Sequence, residues 1–245
     1  MGQIYDDEVF FTEYRALRRR DDCFNDLVEQ PAMKKLLPDL HGKAVLDLGC
    51  GFGANCLDFV SRGAKRVVGV DISEKMLHAA NEESSAPQIE YLHMDMSEIE
   101  WINERFDFIY SSLAFHYVKD FERLSHSIYK LLRNEGKLLF SQEHPIVTAT
   151  LDGNGHFNRD DNGRCVSYTF SNYNQSGRRE TFWFVGGVVK YHRTVGEMIT
   201  TLAKSGFIIE QVAEPTPEAW ALEKRPDLSR AFLKPDFLIV QAKKA

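Results

Sequence analysis

One short segment constrains the fold of this 245-residue chain most strongly. It comprises residues 45–55, with the sequence Val-Leu-Asp-Leu-Gly-Cys-Gly-Phe-Gly-Ala-Asn. The apolar run over 44–48 predicts a buried strand, and residues 54–62 predict a helix. The glycines between them let the backbone turn sharply and let a ligand approach the main chain. Because the helix also directs its positive end to this point, the segment predicts a ligand site at the carboxyl end of the strand.

Short apolar runs alternate with helices through most of the chain. Helices are predicted over 54–62, after the capping residue Ser73, and over 121–132. The predicted strands lie at residues 44–48, 66–71, 90–94, 106–110, 136–140, 207–212 and 237–242. Strands and helices that alternate at this spacing form right-handed βαβ units. The pattern therefore predicts an α/β fold with a parallel sheet that is covered by helices on both faces.

Two segments depart from the alternation. Residues 1–40 carry apolar side chains at helical spacing and predict N-terminal helices. Residues 145–193 are rich in glycine, asparagine and aromatic residues, and 182–189, around Gly186 and Gly187, predicts a β-hairpin or a small antiparallel flap. We therefore expect one domain over 41–245, preceded by N-terminal helices at 1–40 and interrupted by an inserted flap at 145–193.

The polar residues beside the glycines indicate the ligand. Asp71 follows the second strand, 20 residues after Gly51, where a carboxylate can accept hydrogen bonds from both ribose hydroxyls. The glycines also match a dinucleotide-binding motif, so a nicotinamide-dependent oxidoreductase is an alternative. However, Asp47 can hold an ammonium group, Gly53 tightens the glycine spacing, and Asp95 can accept a bond from an adenine amino group. An ammonium, a ribose and an adenine together indicate S-adenosylmethionine.

Residues 43–142 resemble a class I S-adenosylmethionine-dependent methyltransferase of the small-molecule type. The resemblance rests on four motifs in order, at residues 45–53, 69–73, 93–96 and 106–117. It implies a Rossmann-like, seven-stranded and mostly parallel sheet with an antiparallel last strand. It also implies that the glycine loop surrounds the methionine moiety and that the backbone of 111–113 faces the methionyl group. Related methyltransferases have a helical lid, so the resemblance implies that residues 1–40 form a lid whose Tyr14 closes over the cofactor carboxylate, with 145–193 as the flap on the substrate side. The product would be S-adenosylhomocysteine.

The predicted cofactor site collects these residues and their neighbours. They are Tyr14, Asp47, Gly49, Gly51, Gly53, Asp71, Ile72, Met76, Asp95, Met96 and Ser111.

The acceptor of the methyl group is expected to be a small molecule. The residues after the fourth strand are Ser-Ser-Leu-Ala, and not the Asn/Asp-Pro-Pro-Tyr/Phe of enzymes that methylate nucleobase amines. None of the cysteines is next to a proline, so the nucleophile motif of cytosine C5 methylation is also missing. Transfer from a sulfonium is an in-line displacement that proximity and orientation can promote, and a general base is optional.

Polar residues near the predicted ligand edge are candidates for the acceptor side. The candidate catalytic residues are His116, Glu143 and His144, and the candidate substrate-side residues are Tyr117, Tyr191, His192 and Arg193. Each histidine has a structural alternative, as a helix cap, a loop residue before Pro145, or part of a turn that starts a helix. A methyltransferase-like module that binds the cofactor without turnover is a further alternative.

The composition of the chain limits its expected partners and its expected cellular compartment. The net charge of −6 disfavours nucleic acid as a partner, and the longest apolar runs are far too short to span a membrane. The four cysteines form no Cys-x-x-Cys pair, which favours reduced thiols and a cytoplasmic protein. No acidic cluster indicates a metal ion. We expect a monomer or a homodimer.

Overall fold

The computed structural model describes residues 2–151 and 155–245. Met1 of the predicted lid and residues 152–154 of the predicted flap lie outside the described residues. The chain begins with helices and continues as alternating strands and helices. Its first elements are α1 (Gly2–Asp6), α2 (Glu8–Arg18), a π-helical turn (Asn25–Glu29) and α3 (Gln30–Lys35).

The strands and helices that follow have these bounds. They are β1 (Ala44–Leu48), α4 (Ala54–Ser61), β2 (Arg66–Asp71), α5 (Glu74–Glu83), β3 (Ile89–His93), β4 (Phe106–Ser112), α6 (Phe121–Leu131), β5 (Leu132–Glu143), α7 (Pro145–Thr148), β6 (His156–Arg159), β7 (Cys165–Thr169), β8 (Gly177–Trp183), β9 (Val185–His192), α8 (Val195–Lys204), β10 (Phe207–Ala213), α9 (Ala219–Lys224) and β11 (Phe237–Lys244). Short 3₁₀ helices lie at Met96–Trp101, Phe115–Tyr117 and Pro226–Phe232.

Seven strands form the central sheet, in the order β10-β11-β5-β4-β1-β2-β3. Strands β1 to β5 pair in parallel, whereas β11 pairs antiparallel to both of its neighbours, β5 and β10. The predicted Rossmann-like sheet with an antiparallel last strand is therefore confirmed. All five residues of β1 are buried, because this strand lies inside the sheet with helices on both faces.

Alternate residues of the strands face two separate hydrophobic cores. Leu46 of β1 belongs to a core formed with α6 and α8, which includes Leu124. Its neighbour Val45 faces the other side, where Phe59 of α4 and Met33 of α3 pack. In the described ranges, no helix is long and apolar enough to cross a membrane. The two cores hold the sheet rigid, so that the loops at its carboxyl edge have a fixed base.

The segment between β5 and α8 contains two small antiparallel sheets, β6–β7 and β8–β9. The turn of the β8–β9 hairpin lies at Phe184, since Trp183 pairs with Val185. The segment 182–189 that was predicted as a hairpin or small flap contains this turn, and Gly186 and Gly187 form an irregularity within β9. Gly187 has φ +81, a conformation that glycine adopts without strain. The two glycines therefore bend a strand and do not end it.

Candidate functional site

The glycine loop places backbone atoms that carry no side chains at the carboxyl edge of the sheet. The N–H groups of Gly49 and Cys50 both donate to the carbonyl of Val70, at 2.8 and 3.0 Å, which ties the loop to β2. Gly51 has φ +53, and a Cβ added there would meet no atom within 4 Å. The backbone at Gly51 therefore borders open space into which a ligand fits.

Asp71 faces the same space from the end of β2. Its carboxylate accepts hydrogen bonds from the backbone N–H groups of Gly51, at 2.8 Å, and Ser73, at 3.0 Å. Burial raises the pKa of Asp71, and the donated hydrogen bonds oppose this effect. A carboxylate has about four lone-pair sites, so Asp71 can still accept a hydrogen bond from a ligand.

Asp47 is buried beneath the loop. Its Oδ2 lies 3.4 Å from the thiol of Cys56, and its Oδ1 has no hydrogen-bond partner among the described residues. Burial raises the pKa of Asp47 to about 7. An unpartnered buried carboxylate oxygen is costly, so this position needs a donor from a ligand or from ordered water.

A cavity of about 740 Å³ lies at this edge of the sheet. A volume of this size is typical of sites for small molecules and cofactors. One wall consists of Gly49, Gly51, Asp71, Ile72, Met76, Met94, Asp95, Met96, Ser97, Ser112, Leu113 and Ala114. The opposite wall consists of Ile4, Tyr5, Asp7, Tyr14, Tyr117, Val118, Lys119, Asp120, Val185, Gly186, Gly187, Val188, Val189 and Tyr191.

The structure brings many of the predicted site residues to this cavity. Those that line it are Tyr14, Gly49, Gly51, Asp71, Ile72, Met76, Asp95, Met96, Tyr117 and Tyr191. Asp95 also caps the 3₁₀ helix Met96–Trp101, because its side chain accepts a bond of 2.7 Å from the N–H of Ser97. Its second carboxylate oxygen is left for a ligand.

Other predicted residues lie behind the lining. Gly53 begins α4, and a Cβ there would lie only 2.0 Å from the hydroxyl oxygen of Tyr91, so packing already requires glycine at this position. The hydroxyl of Ser111 donates to the carbonyl of Leu48 at 2.7 Å and joins β4 to β1. The lining residue on β4 is its neighbour Ser112.

His116 and Glu143 belong to a buried polar cluster behind Tyr117. The N–H of Glu143 points to Nδ1 of His116 at 3.4 Å. Burial lowers the pKa of His116 to about 4, so the imidazole is neutral at pH 7. Burial would raise the pKa of Glu143, but the ammonium of Lys190, at 2.6 Å, lowers it below its usual value. The cluster therefore holds an ionised carboxylate, an ammonium and a neutral imidazole.

The other predicted polar residues are engaged in local structure. His144 caps α7 and bonds Glu214 through Nε2 at 2.8 Å. His192 donates from Nε2 to the carbonyl of Tyr173 at 2.8 Å, and its Nδ1 lies 2.9 Å from the hydroxyl of Thr148. These bonds occupy both nitrogens of each ring.

Arg193 anchors the end of the β8–β9 hairpin. Its guanidinium donates to the carbonyls of Val118 and Lys119 and lies over the ring of Phe121. These contacts hold the residues that precede α6, which also line the cavity.

An aromatic cluster joins the N-terminal helices to the hairpin above the cavity. The ring centroid of Phe10 lies 5.3 Å from that of Trp183, and Tyr14 lies 5.7 Å from the same ring. Tyr5 contacts Tyr117 at 5.9 Å. Residues 2–18 and the hairpin thus cover the cavity together.

Three residues of this region were not predicted from the sequence. Tyr5 lies in a segment that was considered only as part of the helical lid. Lys190 was also not predicted, although a lysine inside the apolar run of β9 indicates a charged group in a buried position. Glu29 was also overlooked, and it is a carboxylate with 0% exposure in the N-terminal helices.

The chain matches a family of methyltransferase domains over residues 46–140. A solved S-adenosylmethionine-dependent methyltransferase of Mesorhizobium loti is 39% identical, with a TM-score of 0.82, over 88% of this chain and 97% of that one. A Haemophilus influenzae protein is 36% identical over 98% of this chain and 96% of its own length. The trans-aconitate 2-methyltransferase of Deinococcus radiodurans is 30% identical, but this match covers only 52% of each chain.

The match to the Mesorhizobium loti enzyme extends over most of this chain and nearly the whole of that one. The match also decides between S-adenosylmethionine and a nicotinamide cofactor, both of which the glycine motif alone allowed. This protein belongs to the class I S-adenosylmethionine-dependent methyltransferases, and its cofactor is S-adenosylmethionine.

Proposed function

We propose that this methyltransferase transfers the methyl group of S-adenosylmethionine to a small molecule that binds beneath the N-terminal helices and the β8–β9 hairpin. The observation that carries the proposal is the extent of the cavity. It continues from Gly51 and Asp71 to Tyr117, Tyr191 and the backbone at Gly187. One space can therefore hold both the cofactor and an acceptor.

The contacts at the sheet edge support a specific orientation of the cofactor. The ribose lies at Asp71, whose carboxylate has free lone pairs, and the adenine lies between Asp95 and Met96. The methionyl group follows the glycine loop toward residues 112–114, which line the same wall. Its ammonium group provides the donor that Oδ1 of Asp47 lacks, through a water molecule, because Asp47 lies behind the lining.

The opposite wall supports a small acceptor. Tyr5, Tyr117 and Tyr191 line it together with apolar residues of β9. Burial raises the pKa of Tyr5 and Tyr117, so both phenols stay protonated and can donate or accept a hydrogen bond. We propose that residues 1–40 act as a lid and 145–193 as the acceptor-side flap. A covered cavity of this volume admits a small molecule and excludes a folded nucleic acid.

The residues of this chain promote transfer by positioning and by excluding water. S-adenosylmethionine supplies an electrophilic methyl group on a sulfonium, and the two walls hold the acceptor in line with it. The covering helices and hairpin keep water away from this point. Glu143 and His116 lie behind Tyr117, and the pKa of each is held below its usual value, so both are weak bases at pH 7. The proposed transfer therefore relies on positioning, with Glu143 and His116 as polar groups behind the cavity.

We also propose that the protein is cytoplasmic. All four cysteines are free thiols, and Cys23, Cys50 and Cys56 are buried. Reduced thiols are typical of proteins in a reducing compartment.

Calorimetric titration with S-adenosylhomocysteine tests the cofactor site. The Asp71→Ala variant should bind at least about tenfold more weakly, a loss of about 1.4 kcal/mol, because it removes the ribose acceptor. Asp161→Ala, an exposed aspartate between β6 and β7, is the matched control and should bind like the wild type. Unchanged affinity of Asp71→Ala would contradict the proposed orientation.

A screen with S-adenosylmethionine labelled on its methyl group tests the acceptor side. Label should enter small molecules and should not enter nucleic acids. Tight cofactor binding without transfer to any acceptor would instead favour a regulatory module that binds S-adenosylmethionine without turnover.

A further inference from the structure

Residues 112–114 form a strained turn on the cofactor wall. Leu113 has φ +55, which is unusual for a residue with a branched side chain. Such a conformation is energetically unfavourable and persists only where the surroundings hold it. A Cβ added to Gly49 would lie 2.5 Å from that of Ala114, so the turn approaches the glycine loop closely. The turn and the glycine loop therefore lie side by side on the lining of the cavity.

Ser141 of β5 holds the turn. The N–H of Leu113 points to both the carbonyl oxygen and the hydroxyl of Ser141, at 3.0 and 3.1 Å. The hydroxyl can accept from Leu113 only if its own proton is directed elsewhere. That proton is donated to Oε1 of Glu29. Glu29 therefore sets the direction of the hydroxyl on which the turn depends.

Glu29 also binds the turn directly. The hydroxyl of Ser112 donates to the same oxygen, Oε1, at 2.9 Å, and the amide of Gln30 donates to Oε2 at 2.9 Å and to Ser112 at 3.2 Å. Burial raises the pKa of Glu29, and the donated hydrogen bonds oppose this effect. A group that receives three donors and has 0% exposure is held in one orientation.

The local fold explains why a carboxylate can reach this point. Glu29 ends the π-helical turn Asn25–Glu29, directly before Gln30 and Pro31 of α3. Pro31 has no N–H to donate to the preceding turn, and a regular helix would bring its ring against a carbonyl. The wider turn, in which Gln30 bonds the carbonyl of Asn25, relieves this conflict. Turns of this kind are frequent at functional sites.

We propose that Glu29, from the N-terminal helical segment, is a positioning residue that holds residues 112–114 in the shape that receives the methionyl group of S-adenosylmethionine. It touches neither the cofactor nor the acceptor and acts through Ser112 and Ser141. The N-terminal helical segment thus helps to shape the cofactor site as well as to cover it. This inference rests on the proposed orientation of the cofactor.

Titration with S-adenosylhomocysteine, at a temperature where every variant is folded, tests the inference. Glu29→Gln keeps the shape of the side chain but replaces an acceptor with a donor, and it should weaken binding about tenfold. Glu13→Gln, at an exposed glutamate of the same segment, is the matched control and should bind like the wild type. Ser141→Ala should also weaken binding. In the Ser141→Ala background Glu29→Gln should have a smaller effect, because the hydroxyl through which it acts is gone.

A purely structural role for Glu29 predicts a different result. Glu29→Gln would then lower the melting temperature, yet the folded variant would bind within about twofold of the wild type and show no coupling to Ser141. That result would overturn the inference. If Glu29→Gln does not fold, Ser141→Ala carries the test with the same threshold. Asp71→Ala, measured in parallel, separates the two proposals: if it alone weakens binding, only the inference on Glu29 fails.

Discussion

Replacing Lys190 with methionine will destabilise the protein by about 3 kcal/mol at neutral pH. The ammonium of Lys190 lies 2.6 Å from Glu143 Oε1, and the two side chains are 9% and 24% exposed. Methionine preserves the packing of the stem but leaves the carboxylate buried without its partner, which typically costs about 3–5 kcal/mol. We expect the lower value because Lys234 also faces Glu143 and lowers its pKa.

The size of this loss will depend on pH. In the wild type the pKa of Glu143 is below its usual value, so its ionisation stabilises the fold at neutral pH, and this contribution is lost as the pH falls through the folded pKa. In Lys190→Met the burial of Glu143 will dominate and raise its pKa. The cost of the buried charge then appears as the pH rises through that higher value. The difference between the two proteins is therefore largest near pH 7 and shrinks toward acid pH.

Equilibrium unfolding in urea, followed at several pH values, measures both effects. Glu143→Gln combined with Lys190→Met should recover much of the loss, because no unpaired charge remains. Lys35→Met is the matched control: Lys35 pairs with Glu218 but is 68% exposed, so its loss should not exceed about 1 kcal/mol. A loss below about 1 kcal/mol for Lys190→Met at pH 7, or one that is equal at pH 5 and pH 7, would refute this reasoning.

Three further changes have distinct expected outcomes. Gly53→Ala should lower the free energy of unfolding by about 1–3 kcal/mol, because its Cβ would lie 2.0 Å from the hydroxyl of Tyr91, and a melting temperature equal to the wild type would contradict this. Asp47→Asn should weaken S-adenosylhomocysteine binding and remove a loss of stability that the wild type shows as the pH rises from about 4 to about 7, since burial raises the pKa of Asp47 from its usual value to about 7. The ring of His116 should show no protonation by nuclear magnetic resonance between about pH 5.5 and 8, because burial lowers its pKa to about 4, and a titration near 6.5 would show that the ring is not buried.

The cofactor side of the cavity could be predicted from the sequence because its geometry is local. Gly51 and Asp71 follow adjacent parallel strands, and the carboxyl ends of such strands meet at one edge of the sheet. Asp95 follows the next strand, β3, and reaches the same edge. The order and spacing of these residues along the chain therefore predict that they lie close together.

The acceptor side could not be predicted in the same way. Lys190 and Glu143 are 47 positions apart and meet only because the β8–β9 hairpin folds back over β5. His144, His192 and Arg193 have residue types that suit catalysis, yet their polar atoms are already bonded to neighbouring residues. Residue type alone does not show whether a polar group faces the cavity or supports the loops behind it.

The sequence by itself determined the strands of the sheet through their hydrophobic periodicity. The antiparallel last strand and S-adenosylmethionine as the cofactor were implied by the resemblance of four short motifs to a known family. Tertiary structure alone decided what covers the cavity and what holds its walls. Glu29 contacts Ser141 across 112 positions, and Tyr5 reaches Tyr117 from the first helix. Such contacts depend on how separate elements pack against each other, and packing joins residues without regard to their distance along the chain.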